Sequence, residues 1–139
     1  MWMKKQTISK CKEKAWDAFS KMIRVRDALL TTGTKTRLRC VTCDSVKDIK
    51  EMDAGHFVQG RHNATLFDER NVHGQCQSCN RFKHGNLIPY YEYMKVRYGV
   101  EVIEELKIMN KQTRPFKREE LLEMEKEYKE ITELYIKNN

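Results

Sequence analysis

Apolar positions in SKCKEKAWDAFSKMIRVRDALL, residues 9–30, fall near a 3.6-residue period: Ala15, Trp16, Phe19, Ile23 and Leu30. This spacing predicts an amphipathic α-helix, with Ser9 as its N-cap and Glu13 in its first turn. TTGTKT, around Gly33, breaks the pattern. Helix signals are then sparse up to about residue 86. EMDAGHFV reads as a short strand, GRHNATLFDER as a polar connection, NVHGQC as a second strand or turn, and QSCNRFKHG as a short helix stopped by Gly85. After Pro89 the helical period returns in YYEYMKVRYG and EVIEELKIMNK, and a last helix is expected over about 117–137. Its Leu121, Leu122, Met124, Tyr128, Ile131, Leu134 and Tyr135 form an apolar stripe, expected to pack against the first helix. No internal repeat or low-complexity linker interrupts the chain. The expectation is one α+β domain over residues 1–139: a basic N-terminal helix (1–38), a compact core (39–86) and a helical extension (87–139).

Composition adds two constraints. Apolar residues make up 40% of the chain and charged ones 34%, so the core must be economical, and such cores commonly gain a metal cross-link. Net charge is +7 and unevenly placed. Residues 1–39 carry 11 Lys/Arg against 3 Asp/Glu, residues 40–86 carry 6 of each, and residues 87–139 carry 10 against 11. One sign dominating a third of the chain favours a polyanionic partner, most simply nucleic acid, over a merely solvated face. The N-terminus turns polar after three residues, unlike a signal peptide, and no apolar run approaches the roughly 20 residues of a membrane span. A soluble, cytoplasmic protein without a membrane partner is expected.

Four of the five cysteines form two CxxC pairs, CVTC (Cys40, Cys43) and CQSC (Cys76, Cys79); Cys11 stands alone as an ordinary helix residue. Each pair turns two thiolates onto one metal, and two pairs complete a tetrahedral sulfur set that suits zinc. Thirty-two residues separate Cys43 from Cys76, so the zinc would clamp the base of an insertion. With four sulfurs the ion has no open position, and its role is structural.

Inside the clamp lie the candidates for chemistry. His56 falls on a predicted strand; Asn80 and His84 are four apart on the predicted short helix, where one face could present both to a metal. A strand histidine opposite such a helix suits a nuclease: the imidazole deprotonates water, and a divalent ion polarises the phosphate and stabilises the departing oxygen. His73, two residues past Asn71, could orient a phosphate or help hold the metal, or could be a hydrogen-bonded wall residue. His62, beside Arg61, could contact phosphate or simply be solvated. Arg81 and Lys83 are candidates for the neighbourhood of the scissile phosphate. Arg24, Arg26, Arg37 and Arg39, with Lys21 and Lys35, crowd the end of the first helix and the entry to the first knuckle, and would carry the backbone.

His56, Asn71 and Asn80, interleaved with CxxC pairs, resemble the HNH (His-Me finger) nucleases. More closely, FSKMIRVRDA, CVTC, DAGHFVQGRH and ERNVHGQCQSCNRFKHGN resemble the NinG/Rap family of phage recombination nucleases over roughly residues 19–100. The resemblance implies a zinc-braced ββα-metal core and an endonuclease acting on branched recombination DNA such as Holliday junctions or D-loops. It implies magnesium or manganese as catalytic ion, and a phage protein working in the bacterial cytoplasm. By position, His56 matches the general base, Asn71 the residue that holds the base's loop, and Asn80 a metal ligand. The residue before the base is often a second ligand in HNH sites, but here it is Gly55. Asp53 is the nearest acid and would need a bulge at residues 54–55 to turn towards His56. Symmetric cleavage of a four-way junction would call for a homodimer. Two alternatives stand beside this expectation: a zinc-stapled DNA-binding module without catalysis, and an HNH nuclease acting on ordinary duplex.

Overall fold

The computed structural model describes residues 5–139; residues 1–4 of the basic N-terminal segment lie outside the described residues. The first helix, α1, spans Ile8–Thr32. It starts a residue before the expected cap, because the Thr7 hydroxyl, not Ser9, accepts the amide of Lys10 at 3.1 Å. Gly33 ends it with φ 71°, the left-handed conformation that glycine adopts without steric cost, and its amide closes on the Leu29 carbonyl. Ala15, Phe19, Met22 and Ile23 are buried as the period requires, whereas Leu30 is 67% exposed.

Two small antiparallel sheets follow. Strands β1 (Arg37–Arg39) and β2 (Val46–Asp48) flank the first CxxC turn, and neither was expected from the sequence. β3 (Met52–His56) and β4 (Val72–Cys76) pair in unbroken register, from Met52 opposite Cys76 to His56 opposite Val72. Between them the chain makes a short helix α2 (Asn63–Leu66), where a polar connection was expected. A π-helical turn, Ser78–Phe82, carries the second CxxC into α3 (Leu87–Arg97). Pro89 sits inside α3 instead of preceding it. In a first turn its missing N–H breaks no intrahelical bond. Helices α4 (Val100–Met109) and α5 (Arg118–Lys137) complete the chain.

The β3–β4 hairpin lies on α1, where Ala54 and Val72 meet Phe19, Met22 and Ile23. α5 packs along α1 as its stripe suggested, though only part of the stripe is used. Leu121 is fully buried and Tyr128 and Tyr135 cover the α1 core, while Leu122, Ile131 and Leu134 remain exposed. On the hairpin's other side, Phe57 packs with Tyr90, Met94, Ile103 and Leu106 of α3 and α4. The hairpin is therefore held from two sides. No described helix is long and apolar enough to cross a membrane.

Candidate functional site

The four cysteines of the two knuckles converge. Their sulfurs lie within 4.8 Å of one another, and Cys43 Sγ to Cys76 Sγ is 3.7 Å. A tetrahedral zinc with bonds of about 2.3 Å requires sulfur separations of about 3.8 Å, so the donor set fits the ion. Cys40, Cys76 and Cys79 are buried and Cys43 is exposed. The Cys76 amide donates to Cys40 Sγ at 3.3 Å and the Cys79 amide to Cys76 Sγ at 3.4 Å, contacts that favour thiolates. Burial pushes the Cys76 thiol up to about 12. Burial also opposes ionisation of Cys43, yet the Ser45 hydroxyl and amide bring it down to about 6. The four-cysteine cluster could bind one zinc, which would join the β1–β2 hairpin to the end of β4.

Beside this cluster, at the open edge of β3, is a polar cleft of about 440 Å³. α1 contributes Trp16, Ser20 and Arg24; the turn before β3 contributes Lys50; β3 contributes Asp53; the loop contributes Arg61; and the π-helical turn contributes Asn80 and Arg81. Four cations, Arg24, Lys50, Arg61 and Arg81, thus line a cleft that holds one carboxylate, Asp53. The Asp53 carboxylate accepts the Asn80 amide N–H at 2.9 Å and both arms of the Arg81 guanidinium at 2.9 Å. Asp53 reaches Asn80 from a regular strand. The bulge that would have turned it towards His56 is absent from the unbroken register.

The residue before His56 is glycine for a steric reason. A Cβ at Gly55 would collide with Gln75 Oε1 and stand 3.1 Å from Asn80 Oδ1. Gln75 is fully buried; its amide N–H groups reach Thr42 and Gly85, and its Oε1 has no partner among the described residues. The Gln75 side chain therefore fills the space where a ligand at position 55 would stand.

His56 ends β3, half-buried, with its ring stacked on Trp16 at 4.9 Å and 21°. Its Nε2 lies 3.2 Å from the Leu66 carbonyl, which can only accept, so Nε2 carries the proton and Nδ1 holds the lone pair. Burial, aided by the charge of Arg61 and opposed by the Leu66 carbonyl, lowers the imidazole to about 4. His56 is neutral at physiological pH. Asn71, fully buried at the start of β4, accepts the Val58 amide at 2.7 Å and donates to the carbonyls of Val58 and Thr65. It ties both ends of the 57–71 loop, including the turn that presents the Leu66 carbonyl. Thr65 Oγ1 to Asn110 and Asn63 to the Arg114 carbonyl anchor that loop to the α4–α5 side.

Other expected residues lie elsewhere. His84 does not share a helical face with Asn80: the turn ends at Phe82, and His84 follows it, exposed, with φ 51°. His73 is a wall residue, 2% exposed, bonded to the hydroxyls of Tyr90 at 3.0 Å and Tyr98 at 2.8 Å. His62 is exposed on the loop beside Arg61. Arg26 is committed internally, bonding Asp27 and the carbonyls of Glu69 and Val72. Arg37 and Arg39 are exposed on β1, with Arg39 reaching the Asp44 carbonyl, and Lys83 is exposed past the π-helical turn. Sequence reasoning missed Trp16, Ser20 and Lys50 as cleft residues. The helical period had already assigned Trp16 to the core, and nothing in the chain order links Lys50 or Ser20 to Asn80.

A family model described as Bacteriophage Lambda NinG protein matches residues 3–137. The chain is 34% identical over 103 residues to Protein ninG of Salmonella phage P22, covering 73% of this chain and 46% of that protein. It is 36% identical over 95 residues to Protein ninG of Escherichia phage 933W, covering 68% of this chain and 43% of the relative. With Protein ninG of Escherichia phage lambda the identity is 35% over 95 residues, covering 68% and 42%. The chain spans less than half the length of these relatives in the matched region. No solved structure matches it.

Proposed function

The chain belongs to the NinG family, and from that premise and the cleft's geometry we propose that it is a metal-dependent DNA endonuclease of the HNH type. The observation that carries the proposal is the meeting of Asn80 with Asp53 in a cationic cleft that Trp16 also lines, the indole being stacked on a neutral histidine whose Nε2 is already committed to a backbone carbonyl. His56 acts as general base through Nδ1, taking a proton from the attacking water. Asn71 keeps the Leu66 carbonyl and the 57–71 loop in place, which fixes the tautomer. Arg24, Lys50 and Arg61 hold the phosphodiester backbone in the cleft.

Asp53 and Asn80 offer oxygen donors of the kind Mg²⁺ or Mn²⁺ takes. Such an ion, when bound, supplies polarisation of the phosphate and charge stabilisation at the leaving oxygen. Arg81, which forks onto both Asp53 oxygens, would release them and turn to the phosphate as substrate enters. The zinc cluster is separate from this chemistry and serves to hold the hairpin and the π-helical turn together. Branched recombination DNA is the proposed substrate class, in keeping with the family resemblance.

One feature favours a second proposal, a zinc-stapled DNA-binding module without catalysis: the Asp53 carboxylate is fully occupied by Asn80 and Arg81. Incubation with four-way junctions and matched linear duplex, with Mg²⁺ or Mn²⁺ and with chelator, separates the two. The nuclease predicts metal-dependent nicking that falls by roughly 10²–10⁴-fold in His56→Ala while DNA affinity is retained. Equal cleavage by wild type and variant would remove His56 as the base, and binding with no cleavage under any metal would favour the module. Equal cleavage of junction and duplex would place the substrate among ordinary DNA.

A further inference from the structure

Trp16 stands outside the β3–β4 hairpin, on α1, yet it touches two of the residues on which the nuclease proposal depends. One contact is the stack with the His56 ring. The other is the Arg61 guanidinium, whose Cζ lies 4.8 Å from the indole centroid. The indole is itself braced by Phe19 at 5.7 Å and Phe67 at 6.4 Å, so it is a fixed surface and not a free side chain. It also lines the polar cleft, an unusual place for a large aromatic whose only duty is packing.

We propose that Trp16 is a positioning residue: its indole sets the orientation of His56 and the place of Arg61, and so fixes the spacing between base and phosphate ligand. This inference rests on the nuclease reading for its first half and only on DNA binding for its second.

The imidazole needs two restraints to have one orientation. The bond from Nε2 to the Leu66 carbonyl fixes rotation of the ring about its own axis, and the stack on Trp16 fixes its tilt. With both in place Nδ1 has one direction. Arg61 has φ 51°, a left-handed backbone that arginine rarely adopts, and its contact with Trp16 offsets part of that cost. A guanidinium stacked by its face keeps its N–H edge free, and Arg61 donates no side-chain hydrogen bond to the described residues. That edge is ready to meet a phosphate with two parallel bonds. An aliphatic side chain of similar volume could fill the space but would supply neither the ring stack nor the cation–π contact.

The test uses Trp16→Leu and Trp16→Phe in the full, zinc-loaded chain, with zinc content and melting temperature as fold controls. Loss of the ring-current shift on the His56 ring protons, assigned by their absence in His56→Ala, reports the stack without reference to activity. Trp16→Leu should abolish that shift and lower kcat by about 10- to 100-fold, as expected when a reacting group is misplaced by about 1 Å, and Trp16→Phe should recover most of both. DNA affinity should also fall in Trp16→Leu, and by less when Arg61 is already alanine, because the two act as a unit. Equal kcat in the Leu and Phe variants would overturn positioning of the base and leave Trp16 as packing. Additive losses with Arg61→Ala would overturn positioning of the phosphate ligand. If no variant and no wild type cleaves DNA, the nuclease reading fails, and the affinity cycle alone decides the role of Trp16.

Discussion

At the scale of single residues, burial makes His56 a pH-dependent component of stability. Its folded value of about 4 lies below the roughly 6.5 of an unfolded histidine. The unfolded chain therefore binds the proton first, and the contribution of neutral His56 is fully present above pH 6.5 and is lost as pH falls towards 4. His73, buried between two tyrosine hydroxyls and near Arg26 and Arg97, is lowered in the same direction. Within that window His56 costs up to about 1.4 kcal/mol per pH unit. Urea unfolding between pH 7.5 and 5, with zinc content followed in parallel, should show the His56→Gln variant losing about 2 kcal/mol less than wild type. Parallel curves would mean that His56 is not held neutral by the fold. His56, Asn71 and Asn80 could be singled out in the sequence because their residue types and order match the motif of the nucleases that the chain resembles. The reason for Gly55 could not, since it lies in the side chain of Gln75, twenty residues on and across the sheet.

Among the elements, those set by local signals were legible and those set by pairing were not. α1, α4 and α5 follow an apolar period, and Gly33 closes α1 where a left-handed residue is needed. β1 and β2 are three residues each, RLR and VKD, too short and too charged to stand out; their pairing and the zinc knuckle make them strands. The short helix expected from QSCNRFKHG is a π-helical turn, and the wider turn removes the i, i+4 relation that would have set His84 with Asn80. This arrangement makes the turn dependent on the cysteines. Cys76 and Cys79 enter and begin it, and Asn86 Nδ2 donates to Cys79 Sγ at 3.5 Å just beyond it. Zinc in small domains contributes on the order of 10 kcal/mol of apparent binding free energy, so Cys40→Ser or Cys79→Ser should disorder the cleft and lose cleavage and cooperative unfolding together. Elemental analysis should return one zinc per wild-type chain, and a folded, zinc-free protein would refute the structural role.

For the whole molecule, the excess of positive charge in the N-terminal third divides into two kinds that the sequence does not distinguish. Arg24 lines the cleft with its terminal nitrogens uncommitted among the described residues, its Nε on the Ser20 carbonyl one turn back. Arg26, two residues on, faces the other way and joins α1 to both the loop and β4. It pairs with Asp27, whose other oxygen accepts the Gly74 amide at 2.7 Å in the middle of β4. Charge that the proposed function assigns to DNA and charge that braces the fold thus alternate along one helix, and the measurements that separate them differ. Each phosphate contact adds about 0.9 to the log–log salt slope of duplex binding. Replacing Arg24 and Arg61 together should flatten that slope by up to about two units, with unchanged zinc content and little change in melting temperature. Arg26→Ala should do the reverse, leaving the slope as it was and removing on the order of 2–3 kcal/mol of stability, because Asp27 is left buried without its cation. A slope that responds to Arg26 and ignores Arg24 and Arg61 would move the DNA path off the cleft, towards the exposed Arg37 and Arg39 of β1.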